Sequence, residues 1–134
     1  MRVKIENKTL FMNVVKNILP EIYLPSLNGL TIDSRKVESG DIFLPLQGEK
    51  VDGHDFILEA ESLGASITII EKNINCSMPT YRVKSNKNLL YKLVNEYRKQ
   101  LKYPLLGITG SNGKTTTKDL LVHILSSEMN IAPL

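Results

Sequence analysis

The sequence predicts an α/β protein in two parts: a small domain built on a mixed sheet, 1–102, and then, 103–134, the strand, glycine-rich turn and helix that open a second domain. Three observations predict it. Segments of helical period alternate with short apolar runs, "KYP" at Lys102–Pro104 interrupts the pattern, and "LLGITGSNGKTTTKDLL" starts it afresh. The residue before a proline is pushed out of helix, so Lys102–Pro104 is a natural boundary.

In the first part Leu10, Val14, Ile18 and Leu19 recur at helical spacing, predicting a helix over Thr9–Leu19 that Pro20 closes. A short strand, Gly29–Asp33, follows. "DIFLPL", Asp41–Leu46, alternates like a strand, but Pro45 offers no ladder donor and argues for a sheet edge or a strand end. In "HDFILEAESLGA" one helical face holds Phe56, Ile57, Ala60 and Leu63, with Asp55 able to cap the start and Gly64 to form the left-handed C-terminal turn. Ile67–Glu71 is a buried strand and Tyr81–Val83 a brief one. A helix over Lys87–Gln100 then carries the stripe Leu89, Leu90, Leu93, Val94, Tyr97 and Leu101.

In the second part "LLGIT" is an apolar strand of the central parallel kind, and "KTTTKDLLVHILSS" is a helix with Leu120, Leu121, Ile124 and Leu125 inward. A parallel strand needs neighbours that one such unit cannot supply, so the second domain is expected to continue past Leu134.

Composition narrows the class. A chain of 134 residues with 42% apolar and 23% charged residues is an ordinary globular one. The net charge of +3 suits an anionic ligand but falls well short of a nucleic-acid-binding tail, so no nucleic acid is expected as partner. Arg82, Lys84, Lys87, Lys92, Arg98, Lys99 and Lys102 stand against the single acid Glu96, and read as the solvated face of an amphipathic helix. Cys76 is the one cysteine, which excludes an internal disulfide and fits a reducing compartment. No run of about 18 apolar residues is present, so no membrane insertion is expected, and the reading is cytoplasmic.

The chemistry is concentrated in T-G-S-N-G-K-T, Thr109–Thr115. Successive main-chain N–H groups between a strand and a helix form a concave anion site, and the positive end of the helix dipole adds to it. Gly110 and Gly113 shape the loop around Ser111 and Asn112. Lys114 supplies the mobile positive charge for the β- and γ-phosphates, and the Thr115 hydroxyl is the expected Mg²⁺ contact. The strict pattern G-x-x-x-x-G-K-[ST] wants its first glycine where Ile108 stands, so only the compact form is met. The competing reading is a flexible turn before a threonine-rich helix start.

Together with "TIDSRKVESGDIFLPLQGEKVDGHDFILEAESLGAS", Thr31–Ser66, this turn resembles the Mur ligases, ATP-dependent amino-acid- or peptide-adding enzymes of peptidoglycan precursor synthesis. The two segments cover about half of the chain, and D-S-R, G-D-x-F and D-G-H-D-F paired with T-G-x-x-G-K-T are far more specific than either set alone. The first segment is similar to the uridine-nucleotide-binding domain of the members that add the third residue or the final D-Ala-D-Ala. Lys118 is more like the D-alanyl-D-alanine-adding members. Folylpolyglutamate synthetases share the ATP loop but lack such a first domain.

The resemblance implies that ATP phosphorylates a terminal carboxylate, that an amine attacks the acyl phosphate, and that phosphate leaves a tetrahedral intermediate. It implies Gly110–Thr116 as the ATP loop, with Thr116 its last member, and Lys114 as the catalytic residue with Mg²⁺. It implies Ser34, Arg35, Glu49, Lys50 and Val51 as the border of the UDP part of a UDP-N-acetylmuramoyl-peptide, with D-alanyl-D-alanine as the second small substrate. The full-length protein is expected to be a monomer.

The residues leave alternatives. Ser34 and Arg35 can take up uracil or phosphate oxygens, or Arg35 can simply pair with Asp33. Asp52-Gly53 can be only a turn, His54 and Asp55 a turn and helix cap, His123 a packed histidine, and Cys76 incidental. Such ligases also carry further Mg²⁺-binding acidic and histidine residues, a carbamylated lysine and a C-terminal domain, none of which is in this sequence, so the chain alone is expected to be inactive. Rival readings are a free-standing UDP-sugar- or phosphate-binding module without turnover, and a structural domain with an empty loop.

Overall fold

The computed structural model describes residues 1–102 and 106–127. The chain divides into two compact units, Met1–Leu101 and Lys102–Leu134. Tyr103 and Pro104 of the boundary, Leu105 of the expected strand and 128–134 lie outside the described residues.

The first unit is a three-layer arrangement on a five-stranded sheet whose spatial order follows the chain: β1 (Arg2–Lys4), β2 (Gly29–Thr31), β3 (Ile42–Phe43), β4 (Ile67–Ile70) and β5 (Thr80–Arg82). β1 is antiparallel to β2, and β2 to β5 are mutually parallel. Alternation along the strands separates two cores. Leu30, Ile42, Leu44, Ile67 and Ile69 face α1 (Lys8–Ile18) and α3 (Asn86–Gln100), whose Val14, Val15, Leu89 and Leu93 are buried there. Phe43 and Ile70 face the other way, against Ile57 and Ala60 of α2 (Ile57–Ser62).

The helix boundaries have local causes. Asn7 Oδ1 accepts the Leu10 N–H at 2.9 Å and caps α1. Ser85 caps α3 through the Asn88 N–H. Gly64, at φ +92°, ends α2 in the left-handed turn expected of it.

Several expectations are corrected. β1 went unread, because two of its three residues, Arg2 and Lys4, are charged. β3 is central rather than an edge; Pro45 acts as the strand end, one residue after Leu44 N–H donates to Thr31 O at 2.8 Å. Val94 faces solvent at 58% exposure, since it lies about 40° beyond the arc spanned by Leu89, Leu90, Leu93 and Tyr97 on a helix of 3.6 residues per turn. Asp55 does not cap α2. Asp52 accepts the His54 N–H at 2.9 Å and starts a 3₁₀ turn, Gly53–Phe56, that runs into the helix.

Asn86, the first residue of α3, is fully buried. Its Nδ2 donates to Pro45 O at 2.7 Å and to Ile69 O at 2.8 Å, and its main-chain N–H donates to Glu71 Oε1 at 2.6 Å. Asn86→Ala removes both amide bonds, and we expect about 2–4 kcal/mol of destabilisation. Urea unfolding of the chain measures it; a midpoint equal to wild type would contradict this account.

In the second unit α4 (Lys114–Leu125) follows a turn in which Gly110 has φ +152° and Gly113, the N-cap, φ +75°. Leu106–Thr109 form no strand, against expectation. A strand is stabilised by its ladder partners, and no described strand pairs with this segment. Leu120 and Ile124 are likewise exposed, at 58% and 56%, rather than inward, while Leu121 and Leu125 are half-buried. Among the described residues this unit has no sheet to cover them.

Candidate functional site

Because β2 to β5 are parallel, the segments leaving their carboxyl ends share one edge of the sheet, the usual position for a ligand in an open α/β sheet. Ser34 and Arg35 follow β2, the turn Gln47–Asp52 follows β3, Glu71 and Lys72 follow β4, and Arg82–Ser85 lead from β5 into α3. All five predicted uridine-site residues therefore lie at this edge, Ser34 and Arg35 in a short 3₁₀ turn and Glu49, Lys50 and Val51 in the loop after β3.

Ser34 is buried at the start of its turn. Arg35 forms the ion pair with Asp33: Nε meets Asp33 Oδ1 at 2.9 Å and Nη2 meets Oδ2 at 3.1 Å. The Arg35 guanidinium is the main reason the Asp33 carboxyl is held below its ordinary range, and Asp33 in turn raises Arg35. Arg35 remains 78% exposed, so the fork is paired but accessible.

Glu49, Lys50 and Val51 form the exposed tip of the turn. Gly48 N–H donates to Val51 O at 2.9 Å, and Gln47 bridges Asp52. At the base, Gly53 N–H donates to Leu46 O at 3.0 Å, and a Cβ on Gly53 would lie 2.8 Å from the main-chain N and O of Leu46. Only glycine admits that approach.

His54 is buried and uses both ring nitrogens. Nε2 accepts the Glu71 N–H at 3.1 Å, so the hydrogen-bond partners put the proton on Nδ1, which donates to Asp52 Oδ1 at 2.7 Å. Asp52 Oδ2 accepts from Lys72 Nζ at 2.7 Å. Sequence reading missed this network. The two-residue spacing of Asp52 and His54 hints at a local cap, but nothing local announces Glu71 or Lys72.

A groove of about 670 Å³ lies between the end of α1 and the start of α3, lined by Leu19, Tyr81 and Leu89 with Arg82, Lys84 and Lys92. None of the predicted site residues lines it. Cys76 rests against the α2-side core, where burial pushes its thiol up, away from nucleophilic character. No group of metal-ligating side chains occurs among the described residues.

The glycine-rich turn is built differently. No side chain caps α4, and the helical bond from Thr117 N–H to Gly113 O at 2.9 Å leaves the N–H groups of Lys114, Thr115 and Thr116 ahead of it. Lys114 Nζ donates to Gly110 O at 2.5 Å, which holds its ammonium over the loop. Gly110–Thr116 are all exposed. Free amides, a helix dipole and a folded-back ammonium fit a phosphate group, and the Thr115 hydroxyl on the first turn suits a hard cation beside it.

Residues 26–106 match the family model described as Mur ligase family, catalytic domain. The chain belongs to the Mur ligase family, whose members act in peptidoglycan synthesis. It is 36% identical over 104 residues to the UDP-N-acetylmuramoyl-L-alanyl-D-glutamate--2,6-diaminopimelate ligase of Aquifex aeolicus (strain VF5), covering 76% of this chain and 22% of that protein. It is 30% identical over 115 residues to the UDP-N-acetylmuramoyl-tripeptide--D-alanyl-D-alanine ligase of Bacillus subtilis (strain 168), covering 84% of this chain and 25% of that one. Its fold is similar to the crystal structure of MurF ligase from Thermotoga maritima in complex with ADP, with TM-score 0.62 and 37% identity over 74% of this chain and 23% of the other. The chain thus spans about a quarter of the length of these relatives. No helix among the described residues is long and apolar enough to cross a membrane.

Asp52 makes the edge sensitive to acid. Lys72 first, then the His54 main-chain N–H, hold its carboxyl well below the ordinary 3.8. A depressed acid contributes stability that is complete above its unfolded value and is lost as pH falls toward the folded one. Wild type should therefore exceed Asp52→Asn in urea midpoint at neutral pH, the gap closing below pH 3.8. A gap independent of pH would show that the charge of Asp52 is not what stabilises.

Proposed function

We propose that the chain is the N-terminal portion of an ATP-dependent UDP-N-acetylmuramoyl-tripeptide:D-alanyl-D-alanine ligase, with 1–102 as uridine-nucleotide domain and 103–134 as the start of the central ATP-binding domain. The observation that carries the reading is the union, in one chain, of the family match over 26–106 with a K-T-T helix start whose first amides are uncapped. The likeness to a MurF ligase with ADP bound supports the D-alanyl-D-alanine assignment and the nucleotide. The 36% identity to a diaminopimelate ligase supports a second reading, the enzyme type that adds the third peptide residue.

In this reading the amides of Gly110–Thr116 hold the ATP phosphates, Lys114 leaves the Gly110 carbonyl to neutralise the transferring group, and Thr115 holds Mg²⁺. ATP bound there supplies the phosphoryl group that turns the terminal carboxylate into an acyl phosphate for the amine to attack. Ser34, Arg35 and the tip Glu49–Val51 orient the UDP end of the muramoyl peptide.

The full-length gene product, given ATP and Mg²⁺, is expected to join D-alanyl-D-alanine to UDP-N-acetylmuramoyl-tripeptide. Lys114→Ala should reduce turnover about 10³-fold, the scale of losing one electrostatic stabiliser of the transition state. Diaminopimelate addition to the dipeptide precursor instead selects the second reading. ATP hydrolysis undiminished in Lys114→Ala removes the role given to that lysine.

A further inference from the structure

The tip Glu49–Val51 is exposed, and its side chains have no hydrogen bond or ion pair among the described residues. Within the turn the Gly48–Val51 hydrogen bond and the Gln47–Asp52 bridge are its own restraints. The remaining ties come from outside it. Asp52 receives Lys72 Nζ at 2.7 Å, and His54 carries the chain from Asp52 across to the Glu71 N–H. The turn after β3 is thereby fastened to the two residues that leave β4.

We infer that Asp52, His54 and Lys72 are positioning residues for nucleotide recognition: they hold the tip in the shape that meets a uridine diphosphate, and Lys72 cancels the charge of Asp52 on the edge offered to that polyanion. The inference rests on the uridine reading above. A loop already ordered does not have to be ordered by its ligand, so restraints placed outside the contact residues act directly on affinity. Asp52 left without Lys72 would add a negative charge beside the diphosphate. Lys72 is the member to test, because its side chain is 52% exposed and fills no core.

Uridine 5′-diphosphate is titrated calorimetrically into the 134-residue chain and its variants, with the urea midpoint and the exchange of the Gly48 amide proton measured on each. Lys72→Met is expected to weaken binding about tenfold, to speed Gly48 exchange, and to lower the midpoint by less than Asp52→Asn does, since His54 still holds Asp52; Lys72→Arg should restore binding to within about twofold. If Lys72→Met binds as wild type while Val51→Asp abolishes binding, the uridine site stands and the positioning role is wrong. If Lys72→Met weakens binding only in step with a fallen midpoint, its role is structural and the inference is overturned. If wild type takes up no uridine diphosphate, the uridine reading falls and takes this inference with it, whatever Gly48 exchange shows.

Discussion

The buried carboxamide of Asn86 is the contact on which the carboxyl edge of the sheet depends. One side chain closes the carbonyls of Pro45 and Ile69, and its own main chain is held by Glu71, so the ends of β3 and β4 and the start of α3 meet at a single residue. Glu71 carries this further: its side chain accepts from Asn86, while its N–H donates to His54. The edge is thus a continuous chain of bonds from α3, through β4, to the turn after β3. Loops that leave strand ends are mobile by default, and such a chain gives them the rigidity of the strands behind them.

Charge pairing follows the same logic. Arg2 grips the fully buried Asp41 with two bonds, at 2.7 and 3.0 Å, and so fastens β1 to the segment entering β3. Arg35 is held by Asp33, and Lys72 by Asp52. The first pair is buried on its acid side and is structural. The other two are half open, so their cations are oriented without being hidden. An anion arriving at this edge meets cations already turned toward their partners, which limits the rotamer entropy its binding must remove.

Much of this was legible in the sequence where the cause is local. The spacing of Leu10, Val14 and Ile18, the cap of Gly64 and the buried run Ile67–Ile70 are properties of neighbouring residues, and each became the expected element. Legibility failed where distant partners decide. β1 is two-thirds charged and is a strand because β2 lies beside it; Leu106–Thr109 look like a strand but have no described partner. His54 and Lys72 matter through Asp52 and Glu71, up to twenty residues away, a relation no local pattern encodes.

The two candidate sites differ in the same way. The glycine-rich turn is made by main chain: two positive-φ glycines, uncapped amides and one lysine within seven residues. A candidate site whose geometry is a backbone conformation is written in contiguous letters, which is why T-G-S-N-G-K-T stands out in the sequence. The carboxyl edge is made by side chains gathered from four segments, and its residue types, Ser, Arg, Glu, Lys, are those of any loop. Substitution should therefore act differently at each. The turn tolerates little change in its own letters, whereas the edge can be altered from positions that never touch a ligand, through the bonds that hold its tip in place.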